Sequence, residues 1–223
     1  MPDRRTGNSL PCSTINRGIA LLPNEDYTRR FIELQRRTSD FLDLVPKFSV
    51  EGNVPHLTVV QGTFPSRMDF SSLMSAAHRN LPTTGHLTLY PTQFVYKPVG
   101  WIFLEVRKDQ GIDTVHRAVA DVAASHLVAP SAESGKTSSY TPEEISNYEK
   151  YGYRYMYDQF YPHITLGRLN REPTPHEIER VTAIARELDL FTPCSVYALS
   201  TYEMGSNGAH ARAVMVEHLV PVV

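Results

Sequence analysis

The stretch YPHITLGRL at residues 161–169 says nearly what VPHLTVVQG says at residues 54–62: Pro-His-apolar-Thr-apolar, written twice. Side chains alternate faces along a strand, so His56 and Thr58 share one face, as do His163 and Thr165, while Leu57, Val59, Ile164 and Leu166 point to the other. Each copy offers one imidazole beside one hydroxyl. A lone strand histidine is most simply a packed, hydrogen-bonded core residue. Two in the same register predict more: two equivalent halves, related by a pseudo-twofold, that bring both motifs to a shared central groove where polar groups converge.

Two imidazoles and two hydroxyls suit in-line displacement at phosphorus. Imidazole titrates near neutral pH, so one ring can accept a proton while the other donates one. The threonine hydroxyls can donate to non-bridging phosphate oxygens and stabilise the charge that develops in the transition state. The scheme calls for no metal and no other cofactor. Neither motif lies in an H-E-x-x-H pattern or beside an acidic cluster, so no metal ligands are assigned.

Apolar periodicity places the motifs among other elements. RGIALLPNE (17–25) reads as a strand, and DYTRRFIELQRRTSDFLDLV (26–45) as an amphipathic helix. HLTVVQGTF (56–64) is a strand and SRMDFSSLMSAAHRNL (66–81) a helix. Strands HLTLYPTQFVY (86–96) and GWIFLEVRK (100–108) precede a helix over about 113–127. Residues 129–160 break the rhythm as an insertion: a flexible, small-residue loop, then a short helix announced by Thr141-Pro142-Glu143-Glu144, a capping box with proline at the first helical position. PHITLGRL (162–169) is a strand, and residues 174–190 form a helix with a second such cap at Thr174, Pro175 and Glu177. CSVYALSTYEMG (194–205) and ARAVMVEHLVPV (211–222) are strands around a turn at SNGAH. The order predicts an α+β fold: a flexible tail over 1–17, then a single bilobal domain over 18–223. Its two antiparallel-sheet lobes, about 18–100 and 101–223, carry their helices outside a central groove.

With 223 residues, one globular unit is expected. The 41% hydrophobic content sets disorder aside, and 22 basic against 24 acidic residues give no attraction for a long polyanion. That argues against binding duplex DNA through many phosphate contacts. Cys12 and Cys194 are too distant in sequence to suggest a disulfide framework or a zinc knuckle. No secretory signal or membrane-length apolar run is visible, and a cytoplasmic monomer is expected.

The tandem HLTV and HITL resemble the paired H-x-T-apolar signatures of the two-histidine (2H) phosphoesterase superfamily, which includes the LigT-like RNA 2′,3′-cyclic phosphodiesterases and 2′-5′ RNA ligases. GIALLPNEDYTRRFIELQ resembles that family's first strand and helix, and HITLGR its second motif with a trailing arginine. The resemblance implies a bilobal α+β fold, metal-independent chemistry, and a nucleotide or single-stranded RNA end as substrate. Carried over by position, His56 and His163 are the acid/base pair, and Thr58 and Thr165 hold the phosphate. The first motif continues Val59-Val60-Gln61-Gly62 where the family more often has a basic or aromatic residue, and the insertion lengthens the gap between the motifs. Three readings follow. The first is opening of a 2′,3′-cyclic phosphate. The second is cleavage of 2′-5′ or 3′-5′ linkages in oligonucleotides or cyclic oligonucleotide messengers. The third is a non-catalytic module that binds RNA ends or nucleotides.

Tyr155, Tyr157 and Tyr161, with Arg154 among them, offer a stacking platform for a base, although the alternation from Tyr151 to Tyr157 fits one face of a packed strand equally well. Arg168 alternates away from His163 unless the strand bends at Gly167, and is carried as a further phosphate contact. Trp101 and Phe103 read as core residues, with contact to a substrate base as the alternative. His78, His86, His116, His126, His176, His210 and His218 follow no pattern and read as surface or packed residues.

Overall fold

The computed structural model describes residues 13–81, 87–98, 100–130 and 139–219. In chain order the strands and helices are β1 (Thr14–Pro23), α1 (Glu25–Thr38), β2 (Leu57–Pro65), α2 (Ser71–Arg79), β3 (Thr88–Leu89), β4 (Pro91–Lys97), β5 (Trp101–Val106), α3 (Gln110–Ala123), α4 (Pro142–Tyr151), β6 (His163–Arg168), α5 (Pro175–Glu187), β7 (Cys194–Met204) and β8 (His210–His218). Strand order is β3-β7-β1-β2-β6-β5-β4, with β8 also on β7, and the pairings are antiparallel.

One junction differs from the rest. Strands β2 and β6 meet at a single residue pair, Leu57 with Ile164. The sheet is therefore two antiparallel lobes that part on either side of that pair. Each lobe draws strands from both halves of the chain: β7 and β8 complete the lobe of β1 and β2, while β4 joins β5 and β6. A division at residue 100 would cut the β4–β5 hairpin, which holds consecutive strands together.

Local chemistry explains the helices. The Asn24 side chain accepts from Tyr27 N–H at 2.9 Å, Glu25 and Asp26 fill the first turn of α1, and Arg36 and Arg37 its last. The helix stops at Thr38, short of the expected end at Val45. Pro46 disfavours helical geometry at Val45, and Val45 instead exchanges both backbone hydrogen bonds with Arg168, at 3.0 and 2.8 Å. Leu42 and Leu44 are still buried, so the apolar pattern marked core rather than helix. The capping boxes at Thr141 and Thr174 form as expected.

Two expectations change, and a third lies outside the described residues. Of the predicted tail, residues 1–12 lie outside the described residues, but Thr14–Arg17 are strand, paired with Gly62–Pro65. The flexible loop of the insertion falls on 131–138, also outside the described residues. The tyrosine run is not a strand: α4 ends at Tyr151, Gly152 takes a left-handed φ of +70°, and an irregular segment follows. Tyr151, Tyr153 and Tyr155 are buried in it. His116 ties this segment down, its Nδ1 2.9 Å from Val59 O and its Nε2 accepting from Tyr157 N–H at 2.9 Å, with its ring 3.8 Å from that of Phe160.

Both motif strands carry a β-bulge at the same place. Ile19 pairs with Val60 and Ala20 with Thr58, leaving Val59 extra; Ile102 pairs with Gly167 and Phe103 with Thr165, leaving Leu166 extra. A bulge shifts the alternation by one, so each strand turns its later residues to the other face. Gly167 makes the second bulge possible. Its φ is +152°, and an added Cβ would stand 2.9 Å from Leu44 Cβ. Gly167→Ala is expected to cost about 1–3 kcal/mol, read as a lower urea midpoint with an unchanged m-value.

Candidate active site

Antiparallel register around Leu57 and Ile164 sets His56 across from Thr165, and Thr58 across from His163. Leu57 and Ile164 are fully buried on the other face. The two histidines are thus diagonal neighbours, with side-chain bases about 7–8 Å apart, a spacing that admits one tetrahedral anion between the rings. His56, Thr58, His163 and Thr165 are all partly exposed, as groove residues must be.

The same local device orients both rings. His56 Nδ1 is 2.8 Å from Val54 O, and His163 Nδ1 is 2.7 Å from Tyr161 O, each the carbonyl two residues back. In each case a proline intervenes, at Pro55 and Pro162. A carbonyl can only accept, so Nδ1 carries the proton in both rings, and Nε2 of the neutral ring keeps a lone pair for the groove.

Both rings are held neutral. Burial pushes His56 down to about 3, with further lowering from His210 and from His163 across the groove. His163 falls to about 4, again mainly through burial, with Arg154 and Lys97 adding to it and Glu105 opposing. An anion between the rings would offset the main cause by supplying a negative charge.

The surroundings differ between the halves. His163 stacks on Phe103, with ring centroids 4.0 Å apart, and has Tyr161 at 5.3 Å and Tyr155 at 5.7 Å. The Tyr161 hydroxyl donates to Glu105, which also accepts from Gln93 Nε2 at 2.8 Å. Lys97 lies 4.4 Å over the Tyr161 ring, and Arg154 is sandwiched between Tyr140 and Tyr155 at 4.4 and 4.3 Å. Around His56 stand Tyr202 at 5.1 Å and His210 at 5.4 Å.

Of the other residues singled out in the sequence, Tyr155 and Tyr161 join the site, and Tyr157 turns away toward Tyr151 and Asp121 on the α3 side. Arg168 sits on the site face because the strand does bend at Gly167: it pairs with Trp101, two residues from Phe103 in β5, and lies 5.6 Å over the indole. Sequence reading missed Gln61, Lys97, Glu105, Tyr202 and His210. One signal was available for Tyr202. Gly18 interrupts an apolar strand, and a glycine there marks a close approach of something bulky; an added Cβ would meet the Tyr202 ring at 2.3–2.5 Å. Among the described residues no group of three or more His, Cys, Asp or Glu is placed to hold a metal ion. No helix among them is long and apolar enough to cross a membrane.

Two H-x-T strands thus meet at the junction of two antiparallel lobes. Solved structures share the fold. TT0787 of Thermus thermophilus superposes with a TM-score of 0.52 at 14% identity, over 92% of this chain and 98% of that one. Escherichia coli LigT complexed with phosphate gives 0.51 at 13%, over 93% and 98%, and a phosphoesterase gives 0.51 at 15%, over 93% and 99%. The chain has the LigT-like fold along nearly its whole length. No protein-family model matches it, nor does any curated protein sequence.

The ring environments make acid stability and anion binding readable. His116 and His210 are also held down to about 4 by burial. Above pH 6.5 these rings are neutral folded or unfolded; below it the unfolded chain binds protons that the folded chain refuses. Unfolding free energy should therefore fall as pH drops from 6.5 toward 4, which urea titrations at a series of pH values check. Inorganic phosphate should raise the midpoints of His56 and His163, followed by imidazole ¹⁵N NMR, and leave His116 unmoved.

Proposed function

We propose that the protein is a metal-independent phosphodiesterase that opens the 2′,3′-cyclic phosphate of a nucleotide or single-stranded RNA end. The observation that carries the reading is the matched pair of imidazoles, each locked through Nδ1 to the carbonyl two residues back and diagonal across one groove.

Phosphate bound between the rings accepts hydrogen bonds from Thr58 and Thr165. Its charge raises both imidazole pKa values, so one ring takes up a proton while the other stays neutral. The neutral ring removes a proton from the attacking water through Nε2. The protonated ring gives its Nε2 proton to the departing ribose oxygen, and the proton count balances: one taken, one given. Thr58 and Thr165 hold the equatorial oxygens as charge gathers on them. Arg154 and Lys97 favour the anion electrostatically from the His163 side. Tyr161, partly exposed beside His163, offers an aromatic contact for the base of the bound nucleotide. E. coli LigT has been crystallised with phosphate, with ATP and with NADP+, and a phosphate-bearing nucleotide suits the groove of this chain on the same chemistry.

The crowding of rings and cations on the His163 side favours keeping a second reading, cleavage of a 2′-5′ or 3′-5′ linkage, since a second nucleoside would find contacts there. The test is turnover in the presence of EDTA against 2′,3′-cyclic nucleotides, 2′-5′ and 3′-5′ oligonucleotides and cyclic dinucleotides. His56→Ala and His163→Ala are each expected to lower kcat by about 10²-fold or more. The pH profile of kcat should be a bell, lost on the acid side as the base ring is protonated and on the alkaline side as the acid ring loses its proton. Nucleotide binding without turnover, undisturbed by either substitution, would instead identify a binding module.

A further inference from the structure

The shared bulge makes the two halves comparable residue by residue. Thr58 corresponds to Thr165, Gln61 to Arg168, and Gly18, which pairs with Gln61, to Trp101, which pairs with Arg168. The second half therefore places an indole against a guanidinium. The first half places a glycine against a neutral amide, and the space over that glycine is filled from the next strand, where Tyr202 pairs with Gly18. The Tyr202 ring crosses β1 to reach β2. It is fully buried, stacks on His210 with centroids 4.5 Å apart and planes within 20°, and sets its hydroxyl 3.3 Å from Thr58 Oγ1 and 3.1 Å from Gln61 Oε1.

We propose that Tyr202 and Gln61 are positioning residues that direct the hydroxyl proton of Thr58 into the groove. The inference rests on the reading of Thr58 as a phosphate-holding hydroxyl. Each hydroxyl has one proton to give. With Tyr202 donating to Gln61 Oε1, the contact between Tyr202 and Thr58 requires Thr58 to donate to Tyr202, which aims its proton away from the phosphate. Rotating the Gln61 amide by half a turn reverses the chain: Gln61 Nε2–H donates to the Tyr202 oxygen, Tyr202 donates to Thr58, and Thr58 donates to the phosphate. The half-turn exchanges only the oxygen and nitrogen of the terminal amide and leaves the rest of the Gln61 side chain, packed beside Gly208, in place. Stacking on His210 keeps the phenol at the height of both partners. The neutral Gln61, standing where its counterpart is arginine, thus acts on the anion through two hydroxyls rather than by charge.

The experiment is a double-mutant cycle on the full chain, with inorganic phosphate as the probe in calorimetry and 2′,3′-cyclic nucleotide turnover as a second readout. Tyr202→Phe keeps the ring and removes only the hydroxyl; Gln61→Leu, at a half-buried position, is an independent break in the same chain. Each is expected to weaken phosphate binding about three- to tenfold. The loss from Tyr202→Phe should vanish in a Thr58→Val background and persist in a Thr165→Val background, a pattern that general loss of packing does not produce. Unchanged affinity and kcat in Tyr202→Phe, or an equal loss with and without the Thr58 hydroxyl, overturns the proposal. A wild-type protein that binds phosphate but turns nothing over defeats the phosphodiesterase reading alone, leaving the chain to be judged by affinity. One that does neither overturns both.

Discussion

The contact on which the molecule depends is the pairing of Leu57 with Ile164. Both side chains are fully buried, so the apolar face of each strand holds the register from below. A slip of either strand by one residue would turn its histidine and threonine into the core and bring its leucine or isoleucine to the groove. Such a slip would bury two polar groups for no gain, which is why one residue pair is enough to specify the crossing. The brevity of the pairing is equally consequential. Long pairing would make β2 and β6 one continuous sheet, whereas a single pair lets the lobes part on either side of it.

The proposed function places a negative charge between the two rings, and their surroundings suit one. Desolvation keeps His56 and His163 neutral, and Arg154 and Lys97 push His163 in the same direction. Those cations are unfavourable to a protonated ring yet favourable to an anion beside it. Anion binding and proton uptake are therefore coupled: each offsets the cost of the other, and the coupling is reciprocal. Fixing Nδ1 on a backbone carbonyl in both rings confines the exchangeable site to Nε2, so a proton arriving with substrate goes to the atom that faces it.

Much of this was legible in the sequence. The doubled Pro-His-apolar-Thr motif revealed the crossing, the alternation revealed which residues share its face, and Thr141 and Thr174 announced their helices through capping chemistry that acts over three residues. What was not legible acts over longer range. The end of α1 is set by Val45 pairing with Arg168, a contact between positions far apart in the chain. The interleaving of the lobes is decided by strand partners rather than by strand order. Arg168 reaches the site face because of a bulge whose cue, a glycine in a strand, was visible but whose effect depends on Leu44 lying above it. Tyr202 and His210 reach His56 from β7 and the start of β8, and nothing local to those strands distinguishes them from ordinary core residues.

The pseudo-twofold repeats the pairing of the two motif strands and breaks in the side chains around them. Backbone register, bulge position and the carbonyl lock are repeated, because each serves the geometry that both imidazoles need. Beyond the bulge the halves part company: Trp101 and Arg168 face one another on one side, Gly18, Gln61 and the intruding Tyr202 on the other. A symmetric pair of rings with symmetric surroundings would titrate alike and have no reason to divide into donor and acceptor. Here His163 stands among cations and a carboxylate, and His56 stands beside a phenol and a second neutral imidazole. On the proposed phosphodiesterase reading, an anion would bring one proton to the pair and those unequal fields would decide which ring keeps it. The asymmetry of the residues behind the two rings would then let a repeated motif perform two different proton transfers.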